Sequence, residues 1–115
     1  MNSGPLLVMC TFPSAEAAMD AASALVTARL AACCQVGAPV RSIYEWKGEV
    51  ANALEVPLTC KTTSESWPDL FAALTSRHPY EVPEIIAVPI TEGLPAYLQW
   101  IVANCGPHDS VEKMG

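Results

Sequence analysis

Five cysteines, Cys10, Cys33, Cys34, Cys60 and Cys105, are the residues of this 115-residue chain with the widest chemical reach. A soft metal such as Cu(I) is held by thiolates, so cysteine is the first place to look for a metal site. Their number is odd and no CxxC spacing occurs, so neither a disulfide framework nor a zinc knuckle is indicated. Free cysteine is among the most buried residue types, and buried free thiols are the expectation that any metal site has to displace. His78 offers a neutral imidazole to a metal, yet it stands just before Pro79, where packing or hydrogen bonding suits it better. His108 has Cys105 and Asp109 nearby without a ligand-spacing signature. No nucleophile elbow, phosphate-binding glycine loop or HExxH pair is present, and no enzyme is expected.

Composition narrows the class of protein that could carry these groups. Residues of the apolar set make up 51% of the chain and charged residues 16%, against about 25% charged in ordinary soluble domains. The chain is therefore expected to fold, as one domain over residues 1–115, and to gain core from a partner subunit, because a domain of this size buries only about two-thirds of its unfolded surface. A net charge of −6 argues against a general nucleic-acid or anionic-membrane binder and leaves metal cations open as partners. No run reaches the roughly 18 apolar residues of a membrane helix, and the first ten residues lack a basic signal-peptide region, so a cytoplasmic protein is expected.

The elements that must position the thiols follow from periodicity and punctuation. Leu6 to Phe12 is a short apolar run that predicts a strand covered on both faces. Ser14 is a candidate N-cap for a helix in which Ala18, Met19, Ala22, Leu25, Val26 and Leu30 form the apolar stripe up to about Ala31. From Cys33 to Trp46 the pattern is that of a long strand, bent or bulged at Gly37-Ala38-Pro39. Lys47-Gly48 turns the chain, and Leu54, Val56, Leu58 and Cys60 alternate on the returning arm. Each arm of this hairpin has about 14 residues, roughly 45 Å at strand rise, so its outer half needs another chain to cover it. Ser66 and Asp69 mark a helix start with Leu70, Phe71, Ala73 and Leu74 as the buried stripe, and Pro79 stops that helix at His78. Ile85 to Ile90 predicts an edge strand, since Pro89 cannot donate to a ladder on both sides. Pro95 opens a short last helix to about Val102. The order β-α-β-β-α-β predicts an α+β, ferredoxin-like split β-α-β fold with sheet order 4-1-3-2. Pro57 then falls in an internal strand, where a bulge, or an N–H direction beyond the end of the first strand, is expected.

The strings ARLAACCQV (Ala28 to Val36), SIYEWKGEV (Ser42 to Val50), CKTT (Cys60 to Thr63), RHPYEVPEIIAVPI (Arg77 to Ile90) and YLQWI (Tyr97 to Ile101) together resemble the CutA family of divalent-cation tolerance proteins, from about Leu7 to Ile101. The resemblance implies a ferredoxin-like subunit in a tight homotrimer whose long hairpins associate, an architecture similar to PII signalling proteins, a cytoplasmic location, and a link to copper and other divalent metals. It also implies that Cys10 and Cys33 are the thiols best placed for a metal, with a third thiol of some relatives falling on Ala73. Arg29, Lys61, Glu81, Glu84, Tyr97 and Trp100 come from the same motifs and are expected to line a cleft between subunits. Such a cleft could hold a small anion or carry acid–base chemistry, and an intersubunit ion pair with aromatic packing is the simpler role. The tail from Asn104 to Gly115 lies outside the match and is expected to be mobile. The functional expectation is a trimeric metal-binding protein of copper and divalent-cation tolerance, with a PII-like signalling or scaffold trimer as the alternative.

Overall fold

A computed structural model describes residues 4–107. Eight elements follow one another: β1 (Pro5–Phe12), α1 (Ala15–Thr27), β2 (Cys33–Val36), β3 (Val40–Trp46), β4 (Glu49–Thr63), α2 (Trp67–Arg77), β5 (Ile85–Pro89) and α3 (Pro95–Ala103). The sheet is antiparallel throughout, in the order β2-β4-β1-β5, and β3 continues along the far half of β4. β5 pairs only with β1, which leaves Pro89 on the edge, where its missing N–H costs nothing.

The long second strand expected from Cys33 to Trp46 is two strands, and Pro57 explains why. Pro57 lies on β4 opposite Thr11 of β1, so the first strand does not end before it. Its carbonyl receives the Gly37 N–H at 2.9 Å. A strand residue directs its N and its C=O to the same neighbour, so the ring nitrogen that cannot donate also faces Gly37. There the neighbouring strand is interrupted. Val36 pairs with Leu58 and Val40 with Glu55, so residues 37–39 oppose residues 56–57 and the register moves by one residue. The bulge therefore lies opposite Pro57, on the partner strand.

Beyond it, Lys47 (φ 53°) and Gly48 (φ 84°) make the two-residue turn with both central residues left-handed, the form whose twist suits a hairpin. The molecule measures 53 × 26 × 25 Å, long because this hairpin projects from the rest.

One face of the sheet is covered. Val8, Cys10 and Phe12 of β1 and Val56, Leu58 and Cys60 of β4 meet Ala18, Ala21 and Leu25 of α1 and Leu70 and Leu74 of α2 in one buried cluster. The side chains between them, among them Met9, Thr11, Thr59 and Lys61, lie on the other face by strand alternation. The α1 stripe is smaller than the periodicity predicts: Met19 and Val26 are exposed, while Ala21 is buried. Ser14 caps α1 as expected, accepting from the Ala17 N–H at 3.1 Å. Ser66 does not cap α2 with its side chain; its N–H donates instead to Thr63 Oγ1. Phe71 is exposed beside Trp67. Of the segment expected to be mobile, Asn104 to Pro107 are described and anchored, with the Gly106 N–H on the Arg29 carbonyl at 2.9 Å. Residues 108–115, including His108, lie outside the described residues.

A Cβ on Gly37 would stand 2.9 Å from Pro57 Cγ, closer than real Cβ contacts allow. The Gly37→Ala variant should therefore lose about 1–3 kcal/mol by overpacking, read as a lower urea midpoint at unchanged slope.

Candidate functional site

Strand alternation decides which expected site residues meet. Cys34 and Cys60 are paired across β2 and β4, Val8 is paired with Cys60, and Cys10 with Leu58. Cys10, Cys34 and Cys60 consequently point to the helix-covered face, and Cys33 points to the other. Cys10 and Cys33 thus cannot share a metal within one chain, contrary to the pairing the resemblance implies. Ala73, the position of the third thiol of some relatives, packs against the same covered cluster as Cys10.

On the covered side the sulfurs of Cys34 and Cys60 are 3.5 Å apart. The hydrogen bond between them lowers the Cys34 thiol and raises that of Cys60, with burial adding to the rise at Cys60. Cys105, also raised by burial, has its sulfur 4.0 Å from Thr62 Oγ1. Burial pushes the Cys10 thiol up to about 12, and the nearby Glu84 carboxylate adds to it. Among the described residues no three His, Cys, Asp or Glu side chains come together as a metal-binding group.

His78 is fully engaged. Its Nε2–H donates to the Thr11 carbonyl at 2.6 Å, Nδ1 accepts the Tyr80 N–H at 3.2 Å, and the ring stacks on Phe12 at 4.5 Å. A metal would have to break one of these bonds, so His78 serves as a clamp between β1 and the 79–84 segment.

The six residues expected in one cleft fall into three places. Glu81 and Glu84 line a cavity of about 740 Å³ along the hairpin, with Tyr44, Trp46, Glu55 and Tyr80. Glu55 is buried there, accepting from Thr11 Oγ1 at 3.2 Å and from the Tyr80 hydroxyl. Burial and this carboxylate push the Tyr80 hydroxyl up to about 12. Lys61 belongs elsewhere: its Nζ donates to Gln35 Oε1, and it is paired with Leu7 and Cys33. Since Ile85 pairs with Cys10, Glu84 and Lys61 lie about four residues apart along β1, roughly 13 Å, so they form no ion pair within the chain. Tyr97 bonds the Cys33 thiol through its hydroxyl, which raises the phenol after burial has done so, and stacks on Trp100 at 5.6 Å.

Arg29 occupies a third place. It sits at φ 59° just past the end of α1, where the Arg29 and Leu30 N–H groups close the helix on the carbonyls of Val26 and Leu25. Its Nε donates to the Gly106 carbonyl at 2.6 Å and its Nη2 to the Ala103 carbonyl at 2.8 Å, which terminates α3 as well.

Glu55, Tyr44, Trp46 and Thr11 are site residues that sequence reasoning does not single out, and neither is the Cys34–Cys60 pair. The hairpin turn supplies the register for the first group; the second needs the bulge.

An antiparallel five-stranded sheet with α1 and α2 on one face, the Cys34–Cys60 pair on that covered side and an acidic aromatic cavity at a projecting hairpin make this a small α+β protein. Residues 6–104 match the family model described as CutA1 divalent ion tolerance protein, and the chain belongs to that family. It is 46% identical over 100 residues to the divalent-cation tolerance protein CutA of Thermus thermophilus, covering 87% of this chain and 97% of that one. The solved Thermus thermophilus Cut A1 structure superposes with a TM-score of 0.86 at 45% identity, over 89% of this chain and 99% of that one. CutA1 from the psychrotrophic Shewanella sp. SIB1 gives 0.89 at 42%, over 93% and 100%.

Two outcomes follow from the charges. The Cys10 thiol stays neutral in the fold to about pH 12 but ionises from its ordinary value of 9.0 when unfolded. Above pH 9 the unfolded chain therefore binds fewer protons, and Cys10 alone should remove about 1.4 kcal/mol of stability per pH unit up to the folded value. Urea unfolding between pH 9 and 11 should show a shallower fall for Cys10→Ala than for wild type. Arg29→Ala leaves the ends of α1 and α3 untied and should cost about 1.5–3 kcal/mol, the value of hydrogen bonds made by a charged donor, in the same measurement.

Proposed function

We propose that this chain acts as a homotrimer that binds copper, as Cu(I), in tolerance of copper and divalent cations, and that it does so in the cytoplasm without catalysing a reaction. Membership of the divalent ion tolerance family, over residues 6–104, is the observation that carries the metal role. Thiols are its soft-metal ligands, because the chain has five of them free and thiolates select Cu(I) over hard divalent ions. The trimer is supported by surface that one chain leaves uncovered. Ile43, Val50 and Leu54 on the hairpin are 68%, 79% and 58% exposed, and Met9, Ile86 and Val88 add apolar surface to the open sheet face. Apolar surface left in water on both the hairpin and the open sheet face is what partner subunits would cover. Three copies, the number implied by the family resemblance, would bring Lys61 of one chain toward carboxylates of another. A cytoplasmic location is proposed with an exception in view: a solved relative from Archaeoglobus fulgidus, 34% identical with a TM-score of 0.81 over 84% of this chain and 92% of that one, is a periplasmic divalent cation tolerance protein. No helix among the described residues is long and apolar enough to cross a membrane.

The acidic aromatic cavity of about 740 Å³ favours a second reading, a PII-like signalling or scaffold trimer that senses a small cationic ligand there and has only an indirect metal link. Metal analysis of protein purified without tag or added metal separates the two: about one copper per chain supports the first, and a metal-free protein that still retains an organic ligand supports the second.

Sedimentation should give a species three times the 12.2 kDa chain at micromolar concentration. Val50→Asp with Leu54→Asp places charge on positions already exposed in the single chain, so it should dissociate the trimer while each chain keeps its secondary structure. A wild-type protein sedimenting at 12.2 kDa would remove the trimer from the proposal.

A further inference from the structure

Cys34 and Cys60 are directly opposite one another in the β2–β4 ladder. The Gly37 N–H on the Pro57 carbonyl makes that pair a hydrogen-bonded one, and counting back along the ladder leaves Cys34–Cys60 a non-hydrogen-bonded pair, the kind whose side chains stand closest. The two sulfurs are 3.5 Å apart. Cys60 is fully buried, while Cys34 is half-buried on β2, which ends the path β2-β4-β1-β5 and has no further strand among the described residues on its outer side. One sulfur is thus fixed by the core, and the other lies at the sheet edge within reach of an incoming ion.

Two thiolates side by side in such a place repel each other, but one cation between them leaves the pair with a single negative charge, as one shared proton would. The ligand count then selects the ion. Zinc takes four ligands, and calcium or magnesium take six or more oxygens, whereas no third His, Cys, Asp or Glu completes a group here among the described residues. A soft ion content with two sulfurs remains. Two metal–sulfur bonds of about 2.3 Å in line span roughly 4.6 Å, so the sulfurs need to separate by about 1 Å, within the side-chain freedom of half-buried Cys34.

We propose that Cys34 and Cys60 hold a two-coordinate soft monovalent cation, Cu(I) or Ag(I), between β2 and β4. On binding, each S–H bond is exchanged for a sulfur–metal bond, the thiol protons leave to solvent, and no electron is transferred. This site deepens the metal-binding reading and rests on it.

The test is anaerobic titration of the full chain with Cu(I) against a chromophoric Cu(I) chelator, for wild type, Cys34→Ala, Cys60→Ala and Cys33→Ala. Wild type should take one tightly held Cu(I) per chain, and Cys34→Ala and Cys60→Ala should each weaken it more than about 100-fold, beyond what changes outside the ligand shell cause. Cys33→Ala, next in sequence but on the opposite face, should bind as wild type does. Retention by Cys34→Ala with loss in Cys33→Ala would overturn this site and leave the metal reading standing; no retention by wild type would overturn both. Should Cys60→Ala fail to fold, X-ray absorption on the Cu(I)-loaded wild type decides independently: two sulfur neighbours and nothing else support the site, and a third ligand or a nitrogen or oxygen neighbour overturns it.

Discussion

Strand β4 has to satisfy a neighbour on each side, and at Pro57 it cannot donate to one of them. The rest of the molecule is arranged around that missing hydrogen bond. On the β1 side the ladder runs unbroken through Thr11–Pro57. On the other side the partner strand yields, inserting one residue at 37–39 and placing Gly37, which has no Cβ, against the proline ring. Without the extra residue, the register fixed by the Lys47–Gly48 turn would run straight on and set Cys34 against Lys61 instead of Cys60. The bulge is thus what brings two thiols together on the covered face and sends Cys33 to the open one.

That division separates two kinds of chemistry by one sheet thickness. On the covered side, the sulfurs of Cys10 and Cys60 sit among apolar side chains, where burial disfavours their ionisation. On the open side and along the hairpin, Glu55, Glu81 and Glu84 meet Tyr44, Trp46 and Tyr80 in a cavity with access to water. His78 links the two, its ring stacked on core Phe12 while its nitrogens hold the Thr11 carbonyl and the Tyr80 N–H. Its engagement on both nitrogens makes it a support for the acidic cavity and a poor ligand for the thiol side.

Much of this architecture is written in local sequence signals, because those signals act through nearby backbone. Pro79 ends α2 at Arg77, Ser14 caps α1, Lys47-Gly48 turns the hairpin, and Pro89 confines its strand to an edge. The site was less legible. The hydrophobic pattern marks a residue as apolar without telling which of two faces is covered, so Met19 and Val26 fit the α1 stripe by spacing yet remain in solvent. Cys10 and Cys33 do not meet within one chain for a related reason: Cys10 lies opposite Leu58 and Cys33 opposite Lys61, an odd number of residues apart on β4, and the one-residue bulge after β2 sets that register against the hairpin turn. The hydrogen-bond partners of Arg29, the carbonyls of Ala103 and Gly106, are more than seventy residues away and carry no motif of their own.

The segment 28–36 works as one device once these contacts are seen together. Arg29 accepts a left-handed backbone that glycine usually takes, and its guanidinium contributes what glycine cannot, donors that end α3 while the Arg29 carbonyl holds the Gly106 N–H. The Leu30 carbonyl takes the Thr62 hydroxyl at 2.6 Å, and the Ala32 N–H reaches the Lys61 carbonyl at 2.8 Å, so the chain meets β4 before β2 begins. Anchored in this way from α3 on one side and β4 on the other, Cys33 and Cys34 enter the sheet with their faces already decided. Cys33 meets Tyr97 and Lys61 on the open face, and Cys34 meets Cys60 beneath it. A change at Arg29 would therefore be felt first at α3 and then at the thiols, because the same few residues set the position of both.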